Sequence, residues 1–152
     1  MVTLTLDASC SPAQVLAVLA DGWTYSSWVV GTSRIRWVDP QWPAPGARLA
    51  HSVGLWPAVI NDESVARRWV PERGIELQAK GWPVGEARVR IDVQAHAGGS
   101  RLRISEDAVK GPGTWVPKPL RSALLAPRNR ETLRRLAMLA ERLGAPPTTP
   151  PR

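Results

Sequence analysis

Two polar residues interrupt apolar alternations at positions where they could do chemistry. His51 shares a strand face with Leu49, Val53 and Leu55, and Glu106 shares one with Leu102, Ile104 and Ala108. An imidazole and a carboxyl group facing each other across a dry cavity can act as general base and general acid, or can orient a ligand carbonyl. The plainer reading is a hydrogen-bonded structural histidine, with Glu106 at a strand end reaching solvent or pairing with an arginine. Arg67 falls in the alternation set of Val65 and Trp69. If that set is inward, its guanidinium needs a buried carboxylate, and Glu106 is one candidate. The opposite register, with Ser64, Ala66, Arg68 and Val70 inward, is equally open at this stage.

Other chemistry is sparse. There is no GxSxG, P-loop or GxGxxG pattern, and no cluster of His and Cys at metal-ligand spacing. The only cysteine, Cys10, has no internal partner and reads as an inert small residue, so neither a metal nor a cofactor is expected and the compartment is taken as reducing. Aromatic usage is lopsided, with eight Trp, one Tyr and no Phe. Trp suits both irregular cores and pocket walls. Trp28, Trp69, Trp82 and Trp115 lie near strand ends or in loops, where they are expected at the wall or rim of a pocket that stacks a flat apolar ligand.

The net charge of +7 invites a nucleic-acid reading, since basic surfaces gain affinity by releasing phosphate counterions. All but three of the twenty basic residues are Arg, however, and they are scattered along strands and helix alike rather than gathered in a patch. Nucleic acid is therefore a minor alternative. No apolar run approaches the length of a membrane span, and the start MVTLTLDASC lacks the basic and hydrophobic blocks of a signal peptide. The expectation is a cytoplasmic protein, monomeric or homodimeric.

Several elements must position these residues. Val2, Leu4 and Leu6 alternate with Thr3 and Thr5 as a strand. Ser11, Pro12 and Gln14 form a helix cap, and Val15, Leu16 and Leu19 follow at helical spacing up to Gly22. A second short helical piece spans Trp23 to Val29. About six antiparallel strands then run to residue 110. Among them, Ile35 and Trp37 share a face, Leu49 to Leu55 share another, and Ala87, Val89, Ile91, Val93 and Ala95 alternate without a break. Gly98-Gly99 is read as the hairpin turn that follows. Residues 110–126 suggest a helical lead-in with Leu120, Leu124 and Leu125, broken at Pro127. From Arg128 to Leu143 the apolar residues Leu133, Leu136, Ala137, Ala140 and Leu143 recur at i, i+3, i+4 and i+7, one face of an amphipathic helix, with Gly144 expected in the left-handed conformation after it. A sheet with one dry face and one long helix to cover it closes into a grip, and the space between need not fill.

In that order and spacing, the stretches SPAQVLAVLADGWTYSSWVVG, PAPGARLAHSVG, RVRIDVQAHAGGSRLRISE and NRETLRRLAMLAERL resemble the polyketide cyclase/dehydrase and lipid-transport family of the START-like (SRPBCC) helix-grip superfamily. The resemblance spans residues 2–143. It implies an α+β helix-grip fold: a curved seven-stranded antiparallel sheet wrapped around the long C-terminal helix, with two short helices after the first strand. Residues 1–144 would form a single domain and residues 145–152 a Pro-rich disordered tail. A hydrophobic ligand of the lipid, polyketide or isoprenoid class would sit between sheet and helix, touched by Trp28, His51, Arg67, Trp69, Trp82, Glu106, Trp115, Leu124 and Leu136. Binding, transport or sensing is the leading expectation. The alternatives are a cyclase or dehydratase using His51 and Glu106, and a basic interaction module on RNA or a ribosome.

Overall fold

The structure is a computed structural model that describes residues 1–81 and 85–144. Trp82 and the tail 145–152 lie outside the described residues. Seven strands, β1 (Val2–Ala8), β2 (Thr32–Val38), β3 (Arg48–Val53), β4 (Ile60–Val70), β5 (Gly74–Gly81), β6 (Gly85–His96) and β7 (Gly99–Lys110), form one antiparallel sheet in the order β1-β7-β6-β5-β4-β3-β2. The first and second strands are thus opposite edges. Between them run α1 (Pro12–Ala20), a 3₁₀ turn at Gly22–Thr24 and α2 (Tyr25–Trp28), which carry the chain across the inner face. The 26-residue α3 (Lys118–Leu143) lies against β1, α1 and α2. This is the α+β helix-grip architecture.

Local chemistry explains most boundaries. The Ser11 hydroxyl accepts from the Gln14 N–H at 3.3 Å while Gln14 Oε1 accepts from the Ser11 N–H at 2.7 Å, so the capping box forms as the spacing requires. Leu133, Leu136, Ala137 and Ala140 are buried from α3, and they meet Leu19, Leu49, Ile91, Leu102 and Ile104 in one core. Each such leucine contributes roughly 1.5–3 kcal/mol by leaving water.

Several expectations are corrected. Helix α3 begins ten residues before Arg128, at Lys118, and passes through Pro127 rather than breaking there. Pro127 and Ala123 are both exposed, so the carbonyl that the proline leaves unbonded faces water, where the loss is cheapest. Gly144 adopts φ −93°, ψ −6°, and its N–H bonds the Glu141 carbonyl at 3.3 Å, a tightened last turn that needs no left-handed residue. The hairpin turn is Ala97-Gly98, with φ of 46° and 79°, one residue earlier than expected. Leu55 is 84% exposed because Gly54, at φ 99°, ends β3 before the alternation can continue. In β2 the register shifts between Ile35 and Trp37, which turns Trp37 outward and brings Val38 onto the core instead. Ala95, last of the β6 alternation, is exposed beside the turn.

Strand β4 resolves the open register with a bulge. Ser64 and Ala66 are fully buried, the pairing shifts between Ala66 and Arg68, and Trp69 then packs against the core opposite Ile75. Each register holds for half of the strand. Arg67, at the shift, is exposed and donates from Nε to Gln78 Oε1 at 2.8 Å.

Candidate functional site

Three rungs of side chains cross β5, β6 and β7 on the inner face. Paired residues make the first rung Ile75, Ile91 and Ile104, the second Leu77, Val89 and Glu106, and the third Ala79, Ala87 and Ala108. The isoleucines are buried at 3% exposure or less. The alanines end at Cβ and cannot reach the helix above them. The result is a cleft of about 300 Å³ between the alanine rung and the first half of α3, walled by Leu124 and Leu125 with Arg121 at its edge. Its lining is mostly apolar, as small-molecule sites require.

Glu106 stands where this cleft meets a smaller inner cavity of about 40 Å³, and it lines both. Its partner is Arg128, whose Nη1 donates to the two carboxylate oxygens at 3.0 and 3.2 Å. Arg128 is held from behind by the Val30 carbonyl, which accepts from Nε at 3.3 Å. Glu106 is 5% exposed, so this pair is what permits a charge at that depth.

The inner cavity is walled by Tyr25 and Trp28 from α2, by Leu77, Val89 and Ile104 from the sheet, and by Asn129 and Thr132 from α3. Behind Tyr25 lies a buried polar chain. The Tyr25 hydroxyl and Ser64 Oγ are 2.9 Å apart, and Ser64 Oγ is 3.2 Å from His51 Nε2. The phenol and imidazole rings also stack at 5.3 Å between centroids. Burial pushes the Tyr25 phenol above its ordinary range, with the Ser64 bond opposing. Burial likewise holds the His51 imidazole below its usual 6.5, with nearby Asp62 working the other way. His51 therefore stands behind Ser64 and the Tyr25 ring rather than in the cavity wall itself.

The sequence-derived site residues divide. Trp28, Glu106 and Leu124 line the cavities. His51 reaches them only through Ser64 and Tyr25. Arg67 points to the outer face and does not meet Glu106. Trp69 packs into the core, and Leu136, fully buried, belongs to the core rather than to a cavity wall. Trp115 is 82% exposed on a 3₁₀ turn at Pro112–Trp115, although its neighbours Gly113 and Val116 border the cleft. Trp82 lies outside the described residues. Among the described residues, no three His, Cys, Asp or Glu side chains gather as metal ligands would. No helix among them is long and apolar enough to cross a membrane.

Tyr25, Arg128 and Asn129 were missed. A signal for the last existed: Asn129 and Thr132 precede Leu133, Leu136 and Ala140 on the same helical stripe, so two polar residues occupy buried positions.

A sheet gripping a helix, hollow at one end beside the Glu106–Arg128 ion pair, defines a helix-grip protein with a mostly apolar cleft. The chain belongs to the polyketide cyclase/dehydrase and lipid transport family, which it matches over residues 1–141. Solved structures of similar fold include a START superfamily protein from Mycobacterium smegmatis, at 16% identity and TM-score 0.72, covering 93% of this chain and 97% of that one. Protein NE0264 from Nitrosomonas europaea is similar at 16% identity and TM-score 0.70, covering 93% and 94%. The di-domain ARO/CYC StfQ of the steffimycin biosynthetic pathway aligns at 13% identity and TM-score 0.71, over 94% of this chain and 51% of its own. No curated protein matches the chain by sequence.

Proposed function

We propose that the protein binds an apolar small molecule of the lipid, polyketide or isoprenoid class in the cleft between α3 and β5–β7, and holds, delivers or senses it without transforming it. The observation that carries this reading is the alanine rung, which leaves about 300 Å³ of mostly apolar space under Leu124 and Leu125. Membership of a family that includes lipid transport supports it. The test is native mass spectrometry of the purified protein with extraction of any retained molecule, together with titration by the flat fluorophore 1-aminoanthracene. A defined adduct or saturable one-to-one binding is expected; neither adduct nor saturable binding would end the reading.

A second reading is favoured by Tyr25 and the Glu106 carboxylate lining the same inner cavity, with the Tyr25 hydroxyl bonded to Ser64 and His51 beyond it. In a cyclase or dehydratase, Glu106 and Tyr25 would move protons on a folded poly-β-ketone, His51 acting through Ser64, with orientation in the cleft supplying much of the rate. Turnover of such a chain that falls in both Tyr25→Phe and Glu106→Gln would select this reading over simple carriage.

A further inference from the structure

The outward side of β1, β7 and β6 carries a second hollow, a polar groove of about 490 Å³ bordered by Arg73, Arg90, Arg101 and Arg103 and by one carboxylate, Asp92. On β7 the groove residues Arg101, Arg103 and Ser105 alternate with Leu102, Ile104 and Glu106, which face the core and the cleft. The groove is thus on the opposite side of the sheet from the apolar cleft, and nothing about it depends on what the cleft binds.

Spread along the sequence, the four arginines are brought together by strand pairing. Thr5, Arg103 and Asp92 pair in one row across β1, β7 and β6, and Gly74 of β5 pairs with Asp92 at the end of that row. Gly74 has φ 148°, and a Cβ there would collide with the Ile91 carbonyl, so a glycine is what lets the turn before β5 lie against β6. The Arg73 carbonyl then accepts from the Val93 N–H at 2.7 Å, which anchors Arg73 at the edge of the groove.

Two of the guanidinium groups are already neutralised. Arg90 Nε is 3.0 Å from Asp92 Oδ2, and Arg101 Nε is 2.6 Å from Asp7 Oδ1. Arg73 and Arg103 have no ion-pair partner among the described residues. Their backbones are two strand spacings apart, about 10 Å, with the neutralised Asp92 between them. Thr5 and Gln94 add a hydroxyl and an amide to the same lining.

This arrangement selects a dense anion. Water and salt reach the groove and weaken each single ion pair, so a ligand is held only if it packs several charges into that short span. A guanidinium fork matches phosphate oxygens, and a chain of phosphates engages both free forks at once. No aromatic ring borders the groove, so a nucleobase has nothing to stack on.

We propose that the outer groove is a binding site for an oligophosphate, two or more phosphates linked in one chain, held at its ends by Arg103 and Arg73 with Thr5 and Gln94 donating beside them. The test uses inorganic triphosphate as the probe, titrated calorimetrically into the full chain at low salt. Saturable one-to-one binding that weakens as salt is raised is expected. Arg103→Gln and Arg73→Gln should each weaken it roughly fivefold, and the double substitution roughly 25-fold. Arg142→Gln removes the same charge from an exposed site at the end of α3 and should stay within about twofold. In the wild-type protein, the Nε–H resonances of Arg103 and Arg73 should shift together on adding triphosphate while that of Arg142 stays in place. That measurement stands even if a variant fails to fold. Absence of saturable binding would overturn the proposal, as would binding that leaves the two resonances unmoved. An equal loss in Arg142→Gln would reduce the effect to overall charge and overturn it too. Tighter binding of hexaglutamate or of a short RNA duplex than of triphosphate would overturn it in favour of an acidic peptide or a nucleic-acid backbone.

Discussion

Two rungs of the same three strands lie on the same inner face with opposite outcomes. Ile75, Ile91 and Ile104 are sealed at 3% exposure or less, while Ala79, Ala87 and Ala108, two rungs further along, floor an open cleft. The helix repeats the contrast. Its buried residues run from Asn129 to Ala140, whereas Leu120 and Leu124 before Pro127 are 54% and 65% exposed. All three strands pair through both rungs, with a register shift between Glu86 and Ala87 beside the alanines, and the side-chain volumes match where the grip is solid and where it is hollow. Glu106 and Arg128 mark the border, a charged pair where the packed core gives out.

The largest expected effect lies on the solid side. Leu136→Ala should cost about 3 kcal/mol in chemical denaturation, since a fully buried leucine leaves a cavity that neighbours cannot refill, with affinity for 1-aminoanthracene within about twofold. A loss of binding equal to the loss of stability would mean that core and cleft are one unit.

At the border, Arg128→Met strands Glu106 and should cost about 2 kcal/mol, less than for a wholly buried pair because Arg128 keeps 37% side-chain exposure. Adding Glu106→Gln to that variant should restore most of the loss, and a double-mutant cycle measures it. Additive losses would show that the pair does not stabilise the border.

The polar chain behind Tyr25 gives a pH signature. His51 is held below 6.5 in the fold, so as pH falls the unfolded chain takes up the proton first. The stability linked to His51 is complete above about 6.5 and declines as pH drops through that value toward the lower folded one, by at most about 1.4 kcal/mol per pH unit. His51→Gln should flatten the urea midpoint between pH 5 and 7; an unchanged slope would assign the acid sensitivity elsewhere.

The smallest stability effect belongs to the hollow side. Ala87→Leu should change stability by no more than about 0.5 kcal/mol, because the added methyl groups enter open space rather than a packed core, yet it should abolish probe binding. Strong destabilisation would show that the alanine rung is packed in solution.

The fold was legible where pattern is local. The β6 alternation, the Ser11 capping box and the helical stripe ending in Leu136, Ala137 and Ala140 each report an element within a few residues of themselves. Trp37 and Arg67 were not legible, because a bulge shifts the pairing by one residue and reverses which side chains face inward beyond it. The site was legible in part: Glu106 stood out as a carboxylate in a dry alternation, but its placement opposite His51 or Arg67 did not hold.

By itself, then, the sequence determined the family, the order of strands and helices, and the dry face with its polar interruption at Glu106, since these follow from periodicity along one chain. Only the tertiary structure decided that Arg128 meets Glu106, that Ser64 and Tyr25 stand between His51 and the cavity, and that three alanines from three strands align into a cleft. Those facts depend on register and on the angle of α3 across the sheet. Both are set by the simultaneous packing of elements far apart in the chain, for which no local stretch carries a signal.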